Sequence, residues 1–119
     1  MGDVVNLAAR FASFTDQWQP KRAARLNDYD VRLVKVQGEF VWHKHDDTDE
    51  LFFVHRGTLH IDYRDRRVTL SAGELHVVPR GVEHKPVAEA ECEVMLLEPS
   101  TVVNTGDAGG ERTAVVEDI

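Results

Sequence analysis

Three histidines and one glutamate are the residues of this chain whose types and spacing could do chemistry: His43-Lys44-His45, Glu50 beyond a short acidic stretch, and His84 behind Pro79-Arg80-Gly81. Imidazole nitrogens and a carboxylate oxygen together suit divalent transition metals. In an extended strand, residues two apart point the same way and lie roughly 6.5 to 7 Å apart, so His43 and His45 can converge on one ion. Asp46-Asp47-Thr48-Asp49 is polar and loop-like, and Leu51-Phe52-Phe53-Val54 reads as the returning strand. A hairpin would then bring Glu50 beside the two histidines. His84 follows Val77-Val78 and a turn set by Pro79 and Gly81, so its arrival at the same place demands a closed, non-local fold.

The elements that must position these residues are mostly strands. Val4, Leu7, Ala8, Phe11 and Phe14 form a stripe at helical spacing, with Asp3 placed to cap it, which predicts a short amphipathic helix over 4–14. Trp18 and Pro20 end it. Strands are expected at 22–26, 31–36, 39–43, 51–56, 58–63, 68–70, 75–78 and 93–97, a count that suits an all-β, double-sheet barrel of jelly-roll type. The tail from Gly106 reads as flexible, with Val115-Val116 able to add an edge strand.

Alternation separates candidate ligands from bystanders. With Glu50 facing inward, Phe52 and Val54 do so too, while Leu51, Phe53 and His55 face outward. His55 is then no ligand, and His60 and His76 sit among the polar positions of their strands. Val41, Phe52 and Val54 should line the lumen, with Met95 if its strand faces inward, making a mainly apolar pocket. Glu39 shares the parity of Val41 and His43 and is a weak candidate for acid–base work, the plainer alternative being a salt-bridged strand residue. Asp46, Asp47 and Asp49 could support the ligands, although an acidic loop tip is usually only solvated. Arg56 and Arg80 are possible anion contacts or ordinary exposed arginines.

These residues resemble a known family. Gly38, His43, His45, Glu50 and Gly57 look like the first cupin motif, and Gly73, Pro79, Gly81 and His84 look like the second. Two positions depart from the pattern: Gly38 lies one residue closer to His43 than usual, and Ala88 stands where the second motif often has Asn. The resemblance is to short cupins labelled mannose-6-phosphate isomerase-like. It implies a cupin double-stranded β-helix after a short N-terminal helix, in one domain over 1–119: a helical segment at 1–17, the barrel at 22–105 and a tail at 106–119. It also implies a homodimer, for which the stripe at 4–14 and outward Leu51 and Phe53 offer apolar surface.

Composition bounds the remaining possibilities. With 119 residues and 42% hydrophobic content, the chain suffices for one core. A net charge of −7, from 21 acids against 14 bases, argues against a nucleic-acid partner. Cys92 is the one cysteine, which excludes a disulfide framework and favours a reducing compartment. No stretch reads as a membrane span or secretory segment, and Asn6 departs from the myristoylation pattern that Met1-Gly2-Asp3 suggests, so a cytoplasmic location is expected.

Three neutral imidazoles and one carboxylate suit Fe, Mn, Ni, Co, Cu or Zn without selecting among them. Octahedral coordination would leave two positions open, for a bidentate substrate or for substrate plus water or dioxygen. Tetrahedral zinc would fill its shell and be structural. The sequence therefore points to a metalloenzyme, an oxygenase or an isomerase or epimerase, acting on a small polar metabolite such as a sugar or a keto or hydroxy acid. The alternatives are a non-catalytic small-molecule binding protein and a structural zinc protein.

Overall fold

Alternation of apolar and polar side chains carries the chain into strands from Lys21 onward in the computed structural model, which describes residues 3–119. The strands are β1 (Lys21–Leu26), β2 (Tyr29–Glu39), β3 (Glu50–Arg56), β4 (Thr58–Asp62), β5 (Arg67–Ser71), β6 (Leu75–Val78), β7 (Lys85–Pro99) and β8 (Glu117–Asp118). Asn27, at φ 55, turns β1 into β2; asparagine tolerates this left-handed backbone better than most residues.

β7 organises the sheets. Cys92–Pro99 and, beyond an irregularity, Val87–Ala88 pair antiparallel with β2, while on the other side of β7 Lys85–Val87 pair with β4 and Glu93–Leu97 with β3. Val87 is thus opposite both Glu39 and His60, and Met95 is opposite both Leu33 and Phe53. β5 extends β4, and β6 extends β3. The jelly-roll sheets curl around a core that includes Trp18, Val36, Phe52, Val54, Leu59, Ile61 and Leu96. They stop short of a closed barrel, because the path β5-β4-β7-β2-β1-β8 keeps two ends.

Local differences from the sequence reading have physical causes. The expected strand at 39–43 does not form: β2 runs on to Glu39, and beyond it the chain is held through single contacts, Phe40 N–H to the Pro86 carbonyl at 2.9 Å and a bridge from His43 to His84. β7 starts eight residues before its expected beginning, because Pro86 and the acidic Glu89 and Glu91 mask a strand in the sequence. Helix α1 covers only Leu7–Ala12. Asn6, not Asp3, caps it by accepting the Ala9 amide at 2.9 Å, and Val4 is 92% exposed, so it takes no part in the buried stripe. Phe11 supplies the anchor, fully buried with its ring 5.2 Å from that of His55. Met1 and Gly2, the first residues of the myristoylation-like start, lie outside the described residues.

The tail is tied down rather than free. Asn104 donates to the Arg112 carbonyl and accepts the Ala114 amide, at 2.7 and 3.0 Å. Its last residues add the edge strand at Glu117–Asp118, parallel to Lys21–Arg22, just beyond the Val115-Val116 pair expected to do so. Short polar side chains that bond their own backbone replace the apolar contacts that a strand search looks for.

Candidate metal centre

The site is built on a two-residue bridge. His43 N–H donates to the His84 carbonyl at 3.0 Å and His84 N–H returns the bond to His43 at 2.9 Å. Directly opposed residues of an antiparallel pair project to the same face, and the two imidazole centroids lie 4.3 Å apart. His45, two residues on, follows His43 to that face, and Gly81 N–H holds it by donating to the His45 carbonyl at 2.8 Å. Gly81 makes the turn at φ +74, where a side chain would be strained. Glu50 enters as the first residue of β3, opposite Val78 on the strand that leads towards His84.

All four side chains are buried, and one donor atom from each lies within 4.8 Å of the others. Glu50 Oε1 stands 3.4 Å from His45 Nε2 and 3.3 Å from His84 Nε2. Bonds of about 2.1 Å to a single ion would put neighbouring donors roughly 3.0 to 3.4 Å apart and opposed ones about 4.2 Å apart, so the spacing fits one cation.

Proton positions agree. The Val41 and Val82 carbonyls can only accept, so the Nδ1 atoms of His43 and His84, each 2.9 Å away, carry the protons and leave both Nε2 atoms with lone pairs. His45 Nε2, His84 Nε2 and Glu50 Oε1 are buried without a hydrogen-bond partner. Buried polar atoms converging without hydrogen-bond partners are costly, and a cation satisfies all of them. Burial, with His84 alongside, pushes the His43 imidazolium down to about 4, so its neutral form prevails at pH 7. The residues present therefore fit a divalent metal.

Behind Glu50 lies a charged network that sequence reasoning missed. Arg32, 1% exposed, donates to Asp30 Oδ2 through Nε and one terminal nitrogen, to Glu98 Oε1 at 3.0 Å, and to the Ser100 and Val102 carbonyls at 3.0 and 2.8 Å. Glu98 in turn faces Glu50. Burial, and then the Glu50 charge, push the Glu98 carboxyl well above the usual range. Burial would raise Glu50 as well, but hydrogen bonding from Glu98, and then the His45 and His84 imidazoles, together outweigh it and keep Glu50 well below. The pair thus shares one proton, held on Glu98. A signal was present: Asp30 and Arg32 share the parity of Val34 and Val36, and Glu98 shares that of Val94 and Leu96, which places charge on an inward stripe.

An apolar cavity opens onto the cluster, with about 40 Å³ of free space among Trp18, Val34, Phe40, Phe52, Leu59 and Leu96, and His43 and Glu50 at one end. Phe52 lines it as its parity requires. Val41 does not, contributing only its carbonyl to His43, and Val54 is buried deeper in the core. Met95 is half-buried and projects outward, since Val94, Leu96 and Glu98 are the buried positions of β7. Glu39 is excluded from the cavity: a register shift between Val36 and Gly38 resets the alternation of β2, and the carboxylate pairs outside with Lys85 at 2.6 Å.

The remaining polar candidates lie elsewhere. His55 bonds Glu93, His60 bonds Thr69 and His76 bonds Tyr63. Asp46 pairs with Lys44, Asp47 is exposed, and Asp49 accepts the Arg80 amide. Arg56 is exposed, and Arg80 stands 3.7 Å from Asp49. Instead, the C-terminal segment meets the histidine strand directly. Lys44 N–H donates to Asp107 at 2.9 Å, and a Cβ added at Gly106 would fall 2.2 Å from the Lys44 carbonyl oxygen and 3.2 Å from the His43 ring. Glycine within a Gly-Asp-Ala-Gly-Gly run is a turn signal in sequence, and nothing there reveals this close approach.

Comparison with known proteins agrees with the geometry. The cupin domain family Cupin_2 matches residues 31–102. A cupin-2 domain containing protein from Shewanella frigidimarina is 54% identical with a TM-score of 0.80, over 81% of this chain and 94% of that one. A Neisseria meningitidis protein is 33% identical with a TM-score of 0.76, over 82% and 100% of the two chains. Protein YdbB of Bacillus subtilis is 41% identical over 63 residues, and the match spans 52% of this chain and 56% of that relative. With the family profile spanning all four clustered side chains, the chain belongs to the cupin superfamily, as a small single-domain member of the Cupin_2 type.

Proposed function

We propose that this cupin is a metalloenzyme that binds one divalent transition metal through His43, His45, Glu50 and His84 and acts on a small molecule seated in the adjoining cavity. The observation that carries this reading is the convergence of three buried polar atoms without hydrogen-bond partners. A bound ion would supply Lewis acidity to a substrate oxygen or a site for dioxygen. The protein's own contributions are orientation and exclusion of water. Val41 and Val82 fix the imidazole rings, Glu98 donates to Glu50 and turns its free oxygen to the donors, and the apolar walls keep the cluster dry. Oxygenase chemistry is favoured over isomerisation or epimerisation, because those need a positioned general base and Glu39 lies outside the cavity.

Metal analysis of protein purified without added ions, followed by electron paramagnetic resonance with candidate ligands, tests the proposal. Stoichiometric iron or manganese whose spectrum shifts with a small oxygen ligand, together with dioxygen uptake, is the expected result. Stoichiometric zinc without an exchangeable water would favour a structural site. A shifted spectrum without turnover would favour a binding protein.

The same reading includes a homodimer. Leu51, Phe53, Leu75, Val77, Met95 and Leu97 stand in register on the outer face of β6, β3 and β7, with Leu75 60% and Val77 42% exposed, and a second copy of this face would cover them. A sedimentation mass of one chain at micromolar concentration would count against it. Among the described residues no helix is long and apolar enough to cross a membrane. The free, buried Cys92 supports a reducing, cytoplasmic setting.

A further inference from the structure

The cavity walls restrict what can sit beside the cluster. Of its polar side chains, Asn104 already has both polar atoms bonded to the tail, to the Arg112 carbonyl and the Ala114 amide. Trp18, whose ring stacks 4.8 Å from that of Phe40, gives its Nε1–H to the Gln37 carbonyl at 3.0 Å. His43 and Glu50 are the remaining polar side chains of the lining, and both belong to the cluster. Among the described residues no lysine or arginine lines the cavity, although the Arg112 guanidinium lies over the Trp18 ring, 5.3 Å from its centroid.

Ligand chemistry follows from this distribution. A sugar would carry several hydroxyls into walls whose only spare side-chain capacity outside the cluster is that of Asn104, and each unmatched one costs roughly ten- to hundredfold in affinity. A second carboxylate, or a phosphate, remote from the cluster would meet no cation in the lining itself, Arg112 lying over the Trp18 ring outside it. A flat apolar body would contact the Trp18–Phe40 stack and the Phe52 edge without such losses. Its polar groups would have to be gathered at one end, within reach of the donors.

We propose that the substrate is a compact apolar, planar molecule bearing two adjacent oxygens at one end, an enolone- or catechol-like head on a hydrocarbon body, and not a sugar or a polycarboxylate. This rests on the metal reading above and deepens it. The two oxygens would take the coordination positions that four protein donors leave open on a six-coordinate ion, and the hydrocarbon, larger than the roughly 40 Å³ now free, would enter between Val34, Phe52 and Leu96 as those side chains move apart.

Cobalt-substituted protein tests it, with cobalt content measured first and its visible absorption as the binding readout. Tropolone, oxalate and mannose are titrated, and the tropolone-to-oxalate affinity ratio is divided by the same ratio for free aqueous cobalt(II). A ratio raised at least about tenfold by the protein, with mannose binding at least about a hundredfold more weakly than tropolone, is the expected result. Val34→Thr, which keeps the side-chain shape and adds a hydroxyl to the wall, should lower tropolone affinity about tenfold and leave oxalate within about twofold. A ratio equal to or below that of the free ion, or mannose matching tropolone, overturns the substrate class while the metal site stands. Failure to take up stoichiometric cobalt overturns the metal reading, and the substrate class with it.

Discussion

Replacing Arg32 by methionine isolates the energetic weight of the buried network. Arg32 places all five of its N–H groups on acceptors, two on Asp30, one on Glu98 and two on carbonyls of the chain after β7, at 2.8 to 3.1 Å. Methionine keeps much of the volume and removes every bond. Asp30 and Glu98, both 0% exposed, would then lie buried without their shared cation. Breaking such a pair costs about 3 to 5 kcal/mol. Arg22 and Arg25, each 3.6 Å from Asp30, compensate in part and place the expected loss towards the lower figure. For 119 residues the unfolding entropy is about 250 cal/mol/K, so 3 kcal/mol corresponds to a drop in Tm of about 12 °C. Scanning calorimetry of the metal-free protein measures it directly. The triple variant Asp30→Asn, Arg32→Met, Glu98→Gln removes the stranded Asp30 charge and the Glu98 carboxyl with the cation and should regain at least half of the loss. A single-variant Tm within about 4 °C of the wild type, or a triple variant less stable than the single one, would refute the reasoning.

Other perturbations separate the parts of the site. His84→Ala should abolish stoichiometric metal binding while circular dichroism remains that of a folded β protein; a protein that unfolds instead would assign the centre a structural role. For the metal-free protein, His43 binds its proton near pH 4 when folded and near 6.5 when unfolded, so stability is full above pH 6.5 and declines by up to about 3 kcal/mol as pH falls towards 4. Urea titrations across that range check it, and His43→Gln should flatten the slope. Gly106→Ala sets a Cβ against the Lys44 carbonyl at a φ of +54, which should lift the tail from the histidine strand and raise amide exchange at Lys44 and Asp107 by at least tenfold.

Much of the fold and the central cluster was legible because both follow from short-range rules. Parity along β3 placed Glu50, Phe52 and Val54 inward and His55 outward, as the burial of that strand shows. The cluster of His43, His45, Glu50 and His84 was readable because two-residue spacing, a hairpin and a Pro-Gly turn each have local signatures. Failures came where parity was extrapolated through an irregularity. The shift at Val36–Gly38 moved Glu39 outside, and Met95 was assigned to a strand whose inward set had not been established. The Asp30–Arg32–Glu98 network was missed for a different reason: charged residues are discounted as core, and only the meeting of β2 with β7 shows that their charges satisfy one another.

That network also explains how one acid suffices at the centre. Two buried carboxyls side by side cannot both ionise, and the surroundings decide which one keeps the proton. Arg32 lies against Glu98, which taken alone would ionise Glu98 and leave Glu50 protonated and useless as a donor to a cation. Burial and the Glu50 charge outweigh that pull, and Arg32 also gives two of its five guanidinium N–H groups to Asp30. Glu98 therefore retains its proton and passes it as a hydrogen bond to Glu50, which stays ionised beside the imidazoles. With neutral imidazoles, the donor set then carries a single negative charge. A divalent ion there would keep one positive charge uncompensated, and in a cavity whose lining holds no lysine or arginine that excess would be the nearest attraction for an anionic oxygen. Burial of Glu98 and the ionisation of Glu50 beside the imidazoles are thus successive links of one electrostatic chain.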